Sequence, residues 1–118
     1  MPQYTVLVVD DDPSILDFLD VALTEQGYRV LTAVDGDALR LAHLCRPNVI
    51  LLDLQMPVMD GAEISRHLRA DAVTAHIPII VMSAKDRLDT TVRTMSVDDQ
   101  LAKPFPLRVL YDVVARWC

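Results

Sequence analysis

The sequence predicts an α/β fold in which five strands and five helices alternate along one domain, residues 1–118. Short runs rich in β-branched residues alternate with patterns of helical periodicity. The strand runs lack an alternating polar face, which is typical of strands buried on both sides of a parallel sheet. A chain of 118 residues is long enough for one hydrophobic core and too short for two ordinary domains. We therefore expect a doubly wound parallel sheet with helices on both faces and right-handed crossovers.

The first strand and helix have clear sequence boundaries. The apolar run from Tyr4 to Val9 predicts a buried strand. Asp12 followed by Pro13 is typical of a helix N-cap with proline at the first helical position, and Gly27 predicts the end of that helix. The residues expected to face the core from this helix are Ile15, Leu19, Ala22 and Leu23.

The second and third units follow the same plan. Tyr28–Thr32 predicts a short second strand, and Asp35 is expected to cap a helix that ends at Arg46 and Pro47. The most apolar strand, Val49–Leu52, runs directly into Asp53. Asp60 is expected to cap the third helix, with Glu63 in the capping-box position. Expected inward residues are Leu39, Ala42 and Leu44 in the second helix, and Ile64 and Leu68 in the third.

The last two units are shorter. Ile77–Met82 predicts a fourth buried strand, in which Pro78 is tolerated because it lies near the start. A very short fifth strand is expected around Leu101 and Ala102, and Pro106 begins the last helix. Expected inward residues are Leu88, Val92 and Met95 in the fourth helix, and Leu107, Leu110, Val114 and Trp117 in the last.

Acidic residues outnumber basic residues by 17 to 11, and only Glu25 and Glu63 are glutamates, so fifteen acids are aspartates. A net charge of −6 without a basic run predicts no direct binding to nucleic acid or to an anionic membrane. The longest uncharged stretch is too short to cross a bilayer, and the first residues lack a signal-peptide pattern. Cys45 and Cys118 form no disulfide framework. We therefore expect a cytoplasmic protein.

Polar residues stand directly after or at the ends of four predicted strands. Asp10 and Asp11 follow the first strand, Asp53 the third, Ser83 the fourth and Lys103 the fifth. Each of these residues alone is more typical of a helix cap or a solvated position. Their common placement is informative, because ligands of parallel sheets bind beyond the carboxyl ends of the strands. Converging carboxylates repel one another unless a cation intervenes, and Mg²⁺ prefers carboxylate oxygens. A carboxylate nucleophile, a metal ion, an ammonium group and a hydroxyl together suit phosphoryl transfer to an aspartate.

Four sequence blocks resemble the signature blocks of response-regulator receiver domains, the phosphoacceptor modules of bacterial two-component signalling. They are Val8–Pro13, Leu51–Gly61, Val81–Ala84 and Lys103–Phe105. The blocks occur in the order and spacing of that family, and the resemblance covers essentially the whole chain. It implies a flavodoxin-like sheet with strand order 2-1-3-4-5.

The resemblance also implies a role for each site residue. Asp53 matches the phosphorylated aspartate. Asp10 and Asp11 match the acidic pair that holds Mg²⁺ together with Asp53, and the Gln55 backbone carbonyl matches a further metal ligand.

Two further residues would contact the phosphoryl group. Ser83 matches the hydroxyl that moves to bond it, with the small Ala84 beside it, and Lys103 matches the lysine that pairs with a phosphoryl oxygen. The bond between Lys103 and Pro104 is a candidate for the cis geometry that is usual in the family.

The chain departs from the family pattern at two positions. Gln100 stands where an aromatic residue is usual, and Ser96 stands where glycine is usual. We expect the phosphorylation chemistry to survive both changes and the conformational response to be weaker or differently connected. Gln55 and Lys85 occupy positions that tune the lifetime of the acyl phosphate in this family.

The resemblance implies a signalling module rather than an enzyme, although it would assist its own phosphoryl transfer and dephosphorylation. The donor would be a sensor histidine kinase or a histidine phosphotransfer protein, and the response would pass to an output domain or protein. A homodimer through the fourth helix, fifth strand and last helix remains an alternative to a monomer. A receiver-like domain that acts without phosphorylation is the main competing function.

Two other classes fit the sequence less well. An aspartyl-phosphate phosphatase would carry an Asp-x-Asp nucleophile on the first strand together with a cap domain. A flavin or nucleotide carrier would have a phosphate-binding loop rich in Ser, Thr and Gly after that strand, where Asp10 and Asp11 would instead repel a phosphate.

Overall fold

A computed structural model describes residues 3–56, 58–84 and 96–118. Five parallel strands form one sheet in the order 2-1-3-4-5, which confirms the predicted fold. The strands are β1 (Thr5–Val9), β2 (Arg29–Ala33), β3 (Val49–Asp53), β4 (Ile79–Ala84) and β5 (Asp99–Lys103). The helices in the described ranges are α1 (Pro13–Glu25), α2 (Asp37–Cys45), α3 (Gly61–Ala70) and α4 (Leu107–Trp117).

The fourth predicted helix falls within residues 85–95, so its expected inward residues Leu88, Val92 and Met95 lie outside the described residues, as does Lys85. The helix here labelled α4 is the last of the five predicted helices. None of the helices in the described part of the chain is long and apolar enough to cross a membrane.

The central strands separate two hydrophobic layers. Alternate residues of β1, β3 and β4 point to opposite faces of the sheet, and both faces are covered, which explains why these strands are apolar throughout. On one face the strands pack against buried residues of α2 and α3, namely Ala38, Ala42, Ile64 and Leu68. On the other face they pack against α1 and α4 through Leu19, Leu23, Leu110 and Val114.

Both ends of α1 have the predicted geometry. The Asp12 carboxylate caps the helix by accepting a hydrogen bond from the Ser14 backbone N–H at 2.9 Å. Gly27 adopts a φ of 94°, and the N–H groups of Gly27 and Tyr28 donate to carbonyls in the last turn of α1. This bonding pattern is the Schellman motif, and glycine adopts its left-handed conformation without a steric penalty. The cap of α3 is also confirmed, because Asp60 accepts from the Glu63 N–H at 2.8 Å.

Two expectations for α2 are wrong. Asp35 does not cap the helix with its side chain: it adopts a positive φ of 51°, and Gly36 takes the N-cap position without a side-chain hydrogen bond. The left-handed turn at Asp35 places the start of the helix two residues later. Leu44 does not face the core and its surface is 65% exposed. It lies about 200° around the helix axis from the buried Ala42, because successive helical residues are separated by about 100°.

Arg69 connects the end of α3 to the segments that enter β4 and β5. Its guanidinium donates to the carbonyls of Ala75 and Ile77 at 2.8 Å each and to the Ser96 carbonyl at 3.0 Å. It also pairs with Asp98 at 2.7 Å. One side chain therefore joins three chain segments at the edge of the sheet opposite the carboxyl ends of the strands.

Candidate functional site

The parallel register brings the predicted site residues to one edge of the sheet. Asp10 follows β1 directly and Asp53 is the last residue of β3, and their neighbours Val9 and Leu52 are paired across the two strands. Lys103 ends β5. The carboxyl ends of parallel strands meet at this edge, so residues far apart in sequence become neighbours there.

Two buried carboxylates share one ammonium group. The Lys103 Nζ lies 3.3 Å from Asp10 Oδ2 and 3.3 Å from Asp53 Oδ1. The side chains of Asp10 and Asp53 are 2% and 7% exposed, whereas that of Lys103 is 30% exposed. One carboxylate oxygen from each of Asp10, Asp11 and Asp53 lies within 4.8 Å of the others. The three acids predicted as metal ligands therefore form one cluster, in which the exposed Asp11 faces solvent.

The three consecutive aspartates have three different surroundings. Asp10 is fixed by its backbone N–H, which donates to the Ala33 carbonyl at 3.3 Å, and by its Oδ1, which accepts from the Asp12 N–H at 3.0 Å. Asp11 is exposed, and Asp12 caps α1. The local turn after β1 therefore holds one carboxylate rigidly inside the site and leaves the next at its entrance.

Burial and charge oppose each other in this cluster. Burial raises the pKa of Asp53, the charge of Asp10 raises it further, and Lys103 and a backbone hydrogen bond from Gln55 hold the increase down. Burial alone would lower the pKa of Lys103, but the charges of Asp53 and Asp10 outweigh it and raise that pKa. Among the residues that the structure describes, three carboxylates face one ammonium, and a divalent cation would balance their excess of negative charge. The all-oxygen donor set fits Mg²⁺.

Ser83 is the clearest unsatisfied group near the site. Its side chain is buried in β4, and its Oγ has no hydrogen-bond partner within the described residues. A buried hydroxyl without a partner costs free energy, so such groups are typical of positions that a ligand completes.

The remaining predicted positions are placed as follows. The bond between Lys103 and Pro104 is cis, as expected. Gln55 is exposed in the loop after β3. Gln100 lies exposed on β5, opposite Val81 of β4, and Ser96 is exposed before that strand. Position 100 therefore carries a polar, exposed side chain, whereas the receiver pattern usually has an aromatic ring there that moves inward.

Sequence reasoning overlooked Gly61. It begins α3 directly against the end of β3, and its N–H donates to the Leu54 carbonyl at 3.2 Å. The only sequence signal for it is a glycine directly after the cap Asp60, and that pair predicts helix capping alone.

Comparison with known proteins agrees with this geometry. The family model described as the response regulator receiver domain matches residues 6–115. The transcriptional regulatory protein PrrA of Mycobacterium bovis is 45% identical over 114 residues, covering 94% of this chain and 47% of the relative. The phosphate regulon transcriptional regulatory protein PhoB of Pseudomonas aeruginosa is 38% identical over 109 residues, covering 90% of this chain and 48% of the relative. The chain thus spans about half the length of these curated relatives.

Solved structures with the same architecture include two receiver proteins. The receiver domain of the sensor histidine kinase PA1611 from Pseudomonas aeruginosa has a TM-score of 0.90 at 32% identity, and 98% of each chain is covered. That structure has a magnesium ion coordinated in its active-site cleft. The chemotaxis protein CheY4 of Vibrio cholerae has a TM-score of 0.91 at 31% identity, covering 99% of this chain and 100% of the other.

Proposed function

Since this chain belongs to the response-regulator receiver family of two-component signalling, we propose that it accepts a phosphoryl group on Asp53 and changes conformation in response. One observation supports this proposal above the others. The Asp53 carboxylate lies beside Lys103 and within the cluster of Asp10 and Asp11, at the sheet edge where a ligand can approach.

Asp53 has the properties of a nucleophile that is held in place. Its carboxylate is ionised when it attacks the phosphorus atom, and Lys103 and the Gln55 N–H favour that charged form. In the proposed transfer, a carboxylate oxygen forms the new P–O bond while the P–N bond to the donor's histidine breaks. The imidazole leaves and takes up a proton, so the donor is returned in its unphosphorylated form.

The charge of the transferred group requires several partners. The equatorial phosphoryl oxygens carry most of the negative charge in such transfers, so positioned cations and hydrogen-bond donors supply most of the catalysis. Lys103 supplies an ammonium group at hydrogen-bond distance from Asp53. The Ser83 hydroxyl, which has no hydrogen-bond partner in ranges 3–56, 58–84 and 96–118, supplies a donor from β4.

Mg²⁺ is the cofactor in this proposal. Asp10, Asp11 and Asp53 would hold it with their carboxylates and Gln55 with its backbone carbonyl. When bound, the ion would neutralise phosphoryl charge that the three acids alone would repel. Asp10 is held in place for this role, because its Oδ1 accepts a hydrogen bond from the Asp12 N–H while its Oδ2 pairs with Lys103.

We propose that the conformational response differs from that of receivers with an aromatic residue on β5. The usual movement pairs an inward ring with the shifted hydroxyl of the Ser83 position, and Gln100 cannot provide that ring. Gln100 is therefore expected to keep its position and side-chain conformation between crystal structures of the free and beryllofluoride-bound protein. A large, ordered displacement of Gln100 would contradict the proposal that the conformational response differs.

The partners follow from this role. A histidine kinase or histidine phosphotransfer protein supplies the phosphoryl group, and an output domain or protein reads the response. The proposed domain assists its own dephosphorylation and acts in the cytoplasm, without direct contact with nucleic acid or membrane. The alternative to a monomer is a homodimer through the fourth predicted helix, β5 and α4, and sedimentation with and without beryllofluoride distinguishes the two states.

Intact-mass spectrometry after incubation with acetyl phosphate and Mg²⁺ tests the phosphoacceptor function. The wild type should gain one phosphoryl group, and removal of Mg²⁺ with a chelator should prevent it. Asp53→Asn should gain none, whereas Asp112→Asn, which changes an exposed aspartate on α4, should react like the wild type. No adduct on the wild type, or an adduct that persists in Asp53→Asn, would falsify the assignment and favour a receiver-like domain that acts without phosphorylation.

A further inference from the structure

The start of α3 lies unusually close to the end of β3. Gly61 is the first residue of the helix, and its N–H is bonded to the Leu54 carbonyl. A Cβ atom placed on Gly61 would lie 2.6 Å from the Asp53 carbonyl oxygen and 2.9 Å from the Leu54 Cα. Both are backbone atoms, so no rotation of a side chain could relieve the contact. Any other residue at position 61 would force the helix and the strand end apart.

Gly36 provides a contrast within the same chain. A Cβ atom added there would meet nothing within 4 Å, and its φ of −64° is one that any residue adopts. The close approach is therefore a property of position 61, and not of glycine before a helix in general.

The displacement would act on the segment that connects β3 to α3. Ordinary contact begins near 3.4 Å, so the Asp53 carbonyl and position 61 would have to separate by about 0.8 Å. The end of β3 is held by the bond from the Leu54 N–H to the Met82 carbonyl, at 3.1 Å. The body of α3 is held by Ile64, which is fully buried. The intervening loop is the part that can yield.

That loop carries Gln55, whose backbone bonds the Asp53 carboxylate. We propose that Gly61 is a positioning residue for the phosphoacceptor site, because its missing side chain lets α3 begin close enough to β3 to fix the Gln55 backbone beside Asp53. This inference rests on the proposed function, in which the Gln55 carbonyl and the Asp53 carboxylate both bind Mg²⁺. Because Mg²⁺ demands near-ideal octahedral geometry, a shift of the Gln55 carbonyl by several tenths of an ångström relative to the Asp53 carboxylate weakens its binding.

The test compares Gly61→Ala with the matched variant Gly36→Ala in the whole chain. Isothermal titration calorimetry gives the Mg²⁺ affinity, and urea unfolding in a chelator gives the stability without metal. The increase in unfolding temperature with added Mg²⁺ provides a second measure of affinity, by linkage. We expect Gly61→Ala to bind Mg²⁺ about tenfold more weakly than the wild type, comparable to the loss of an orienting partner at a metal site. Gly36→Ala should bind as the wild type does.

Three results would overturn the inference. Gly61→Ala with reduced stability and unchanged Mg²⁺ affinity would show a purely structural role. Gly61→Ala that does not fold would show that the strand or helix, rather than the loop, takes the displacement. Equal weakening in Gly36→Ala would show that position 61 is not special. Failure of the proposed function itself looks different, because the wild type would then neither bind Mg²⁺ nor accept a phosphoryl group.

Discussion

Replacing Lys103 by methionine removes the ammonium group that lies between two buried carboxylates and keeps most of the side-chain volume. In the wild type, Lys103 Nζ is 3.3 Å from an oxygen of Asp10 and 3.3 Å from an oxygen of Asp53. Without it, these carboxylates would face each other and Asp11 with no counter-charge from the described part of the chain. The Lys103→Met variant should therefore be less stable than the wild type in the absence of Mg²⁺.

The size of the effect follows from the distances and the exposure. At 3.3 Å and an effective dielectric constant of about 20, each pair attracts by about 5 kcal/mol. Much of this is offset because the variant no longer has to desolvate an ammonium group, and Lys103 is 30% exposed, so solvent screens it. Removing one partner of a fully buried pair costs about 3–5 kcal/mol. We therefore expect the free energy of unfolding to fall by about 1–3 kcal/mol at pH 7.

The loss should depend on pH in a defined direction. The pKa of Asp53 is raised in the folded protein, first by burial and then by Asp10, so its charged form destabilises the fold and stability falls as pH rises through that pKa. Lys103 opposes this, and its own raised pKa means that its contribution is fully present below its ordinary pKa. Acidification that protonates Asp53 removes the charge of one of the two partners of Lys103, so the difference in stability between variant and wild type should shrink.

Urea unfolding of four proteins in a chelator forms the assay: wild type, Lys103→Met, Asp53→Asn and the double variant. Asp53→Asn should be more stable than the wild type, because the charge that it removes is unfavourable in the fold. The cost of Lys103→Met should be about halved in the Asp53→Asn background, where one of its two carboxylate partners is absent. An equal cost in both backgrounds, or a Lys103→Met variant as stable as the wild type at pH 7, would refute this electrostatic account.

Three further outcomes are expected from the same kind of measurement. Arg69→Met should lower the free energy of unfolding by about 2–4 kcal/mol, because the variant loses four hydrogen bonds. The control is Arg66→Met, which changes an exposed residue of the same helix and should change the free energy of unfolding by less than about 0.5 kcal/mol. The hydrogen bond with His43 lowers the pKa of Asp71 below 3.8, so its stabilisation is present above pH 3.8 and is lost as the pH falls through the lowered pKa. The urea midpoints of Asp71→Asn and the wild type should therefore differ at pH 5, and the difference should shrink as the pH falls below 3.8; a constant difference would contradict this. Leu44→Lys should leave thermal stability nearly unchanged, because the side chain contributes little to the core, and a core-like loss would argue against the observed exposure.

Local sequence signals predicted the features that depend on neighbouring residues. Asp12 and Asp60 could be identified as caps because a cap needs only a short polar side chain within three residues of the bonded N–H. Gly27 could be identified because a left-handed turn favours glycine. Asp35 resembles the two confirmed caps in sequence, but it adopts a positive φ, which the sequence does not reveal, and Gly36 takes the N-cap position instead.

The site was predictable for a different reason. Parallel strands end at one edge of the sheet, so residues at strand ends converge whatever the detailed packing. Asp10, Asp53 and Lys103 are therefore recognisable as one site once the strands are recognised, although 93 residues separate the first from the last. The distances, and the sharing of one ammonium by two carboxylates, required the structure.

The sequence by itself determined the order of strands and helices, the two buried faces of the sheet and the group of residues at its carboxyl edge, because these depend on hydrophobic periodicity and on short-range backbone preferences. Only the tertiary structure decided which contacts form between distant segments. The four bonds of Arg69, the exposed side of Leu44 and the close approach at Gly61 all depend on how one element lies against another. Such contacts leave little signal in a single sequence, because they depend on residues that are distant along the chain. The identity of an arginine, a leucine or a glycine does not reveal which distant segment lies beside it.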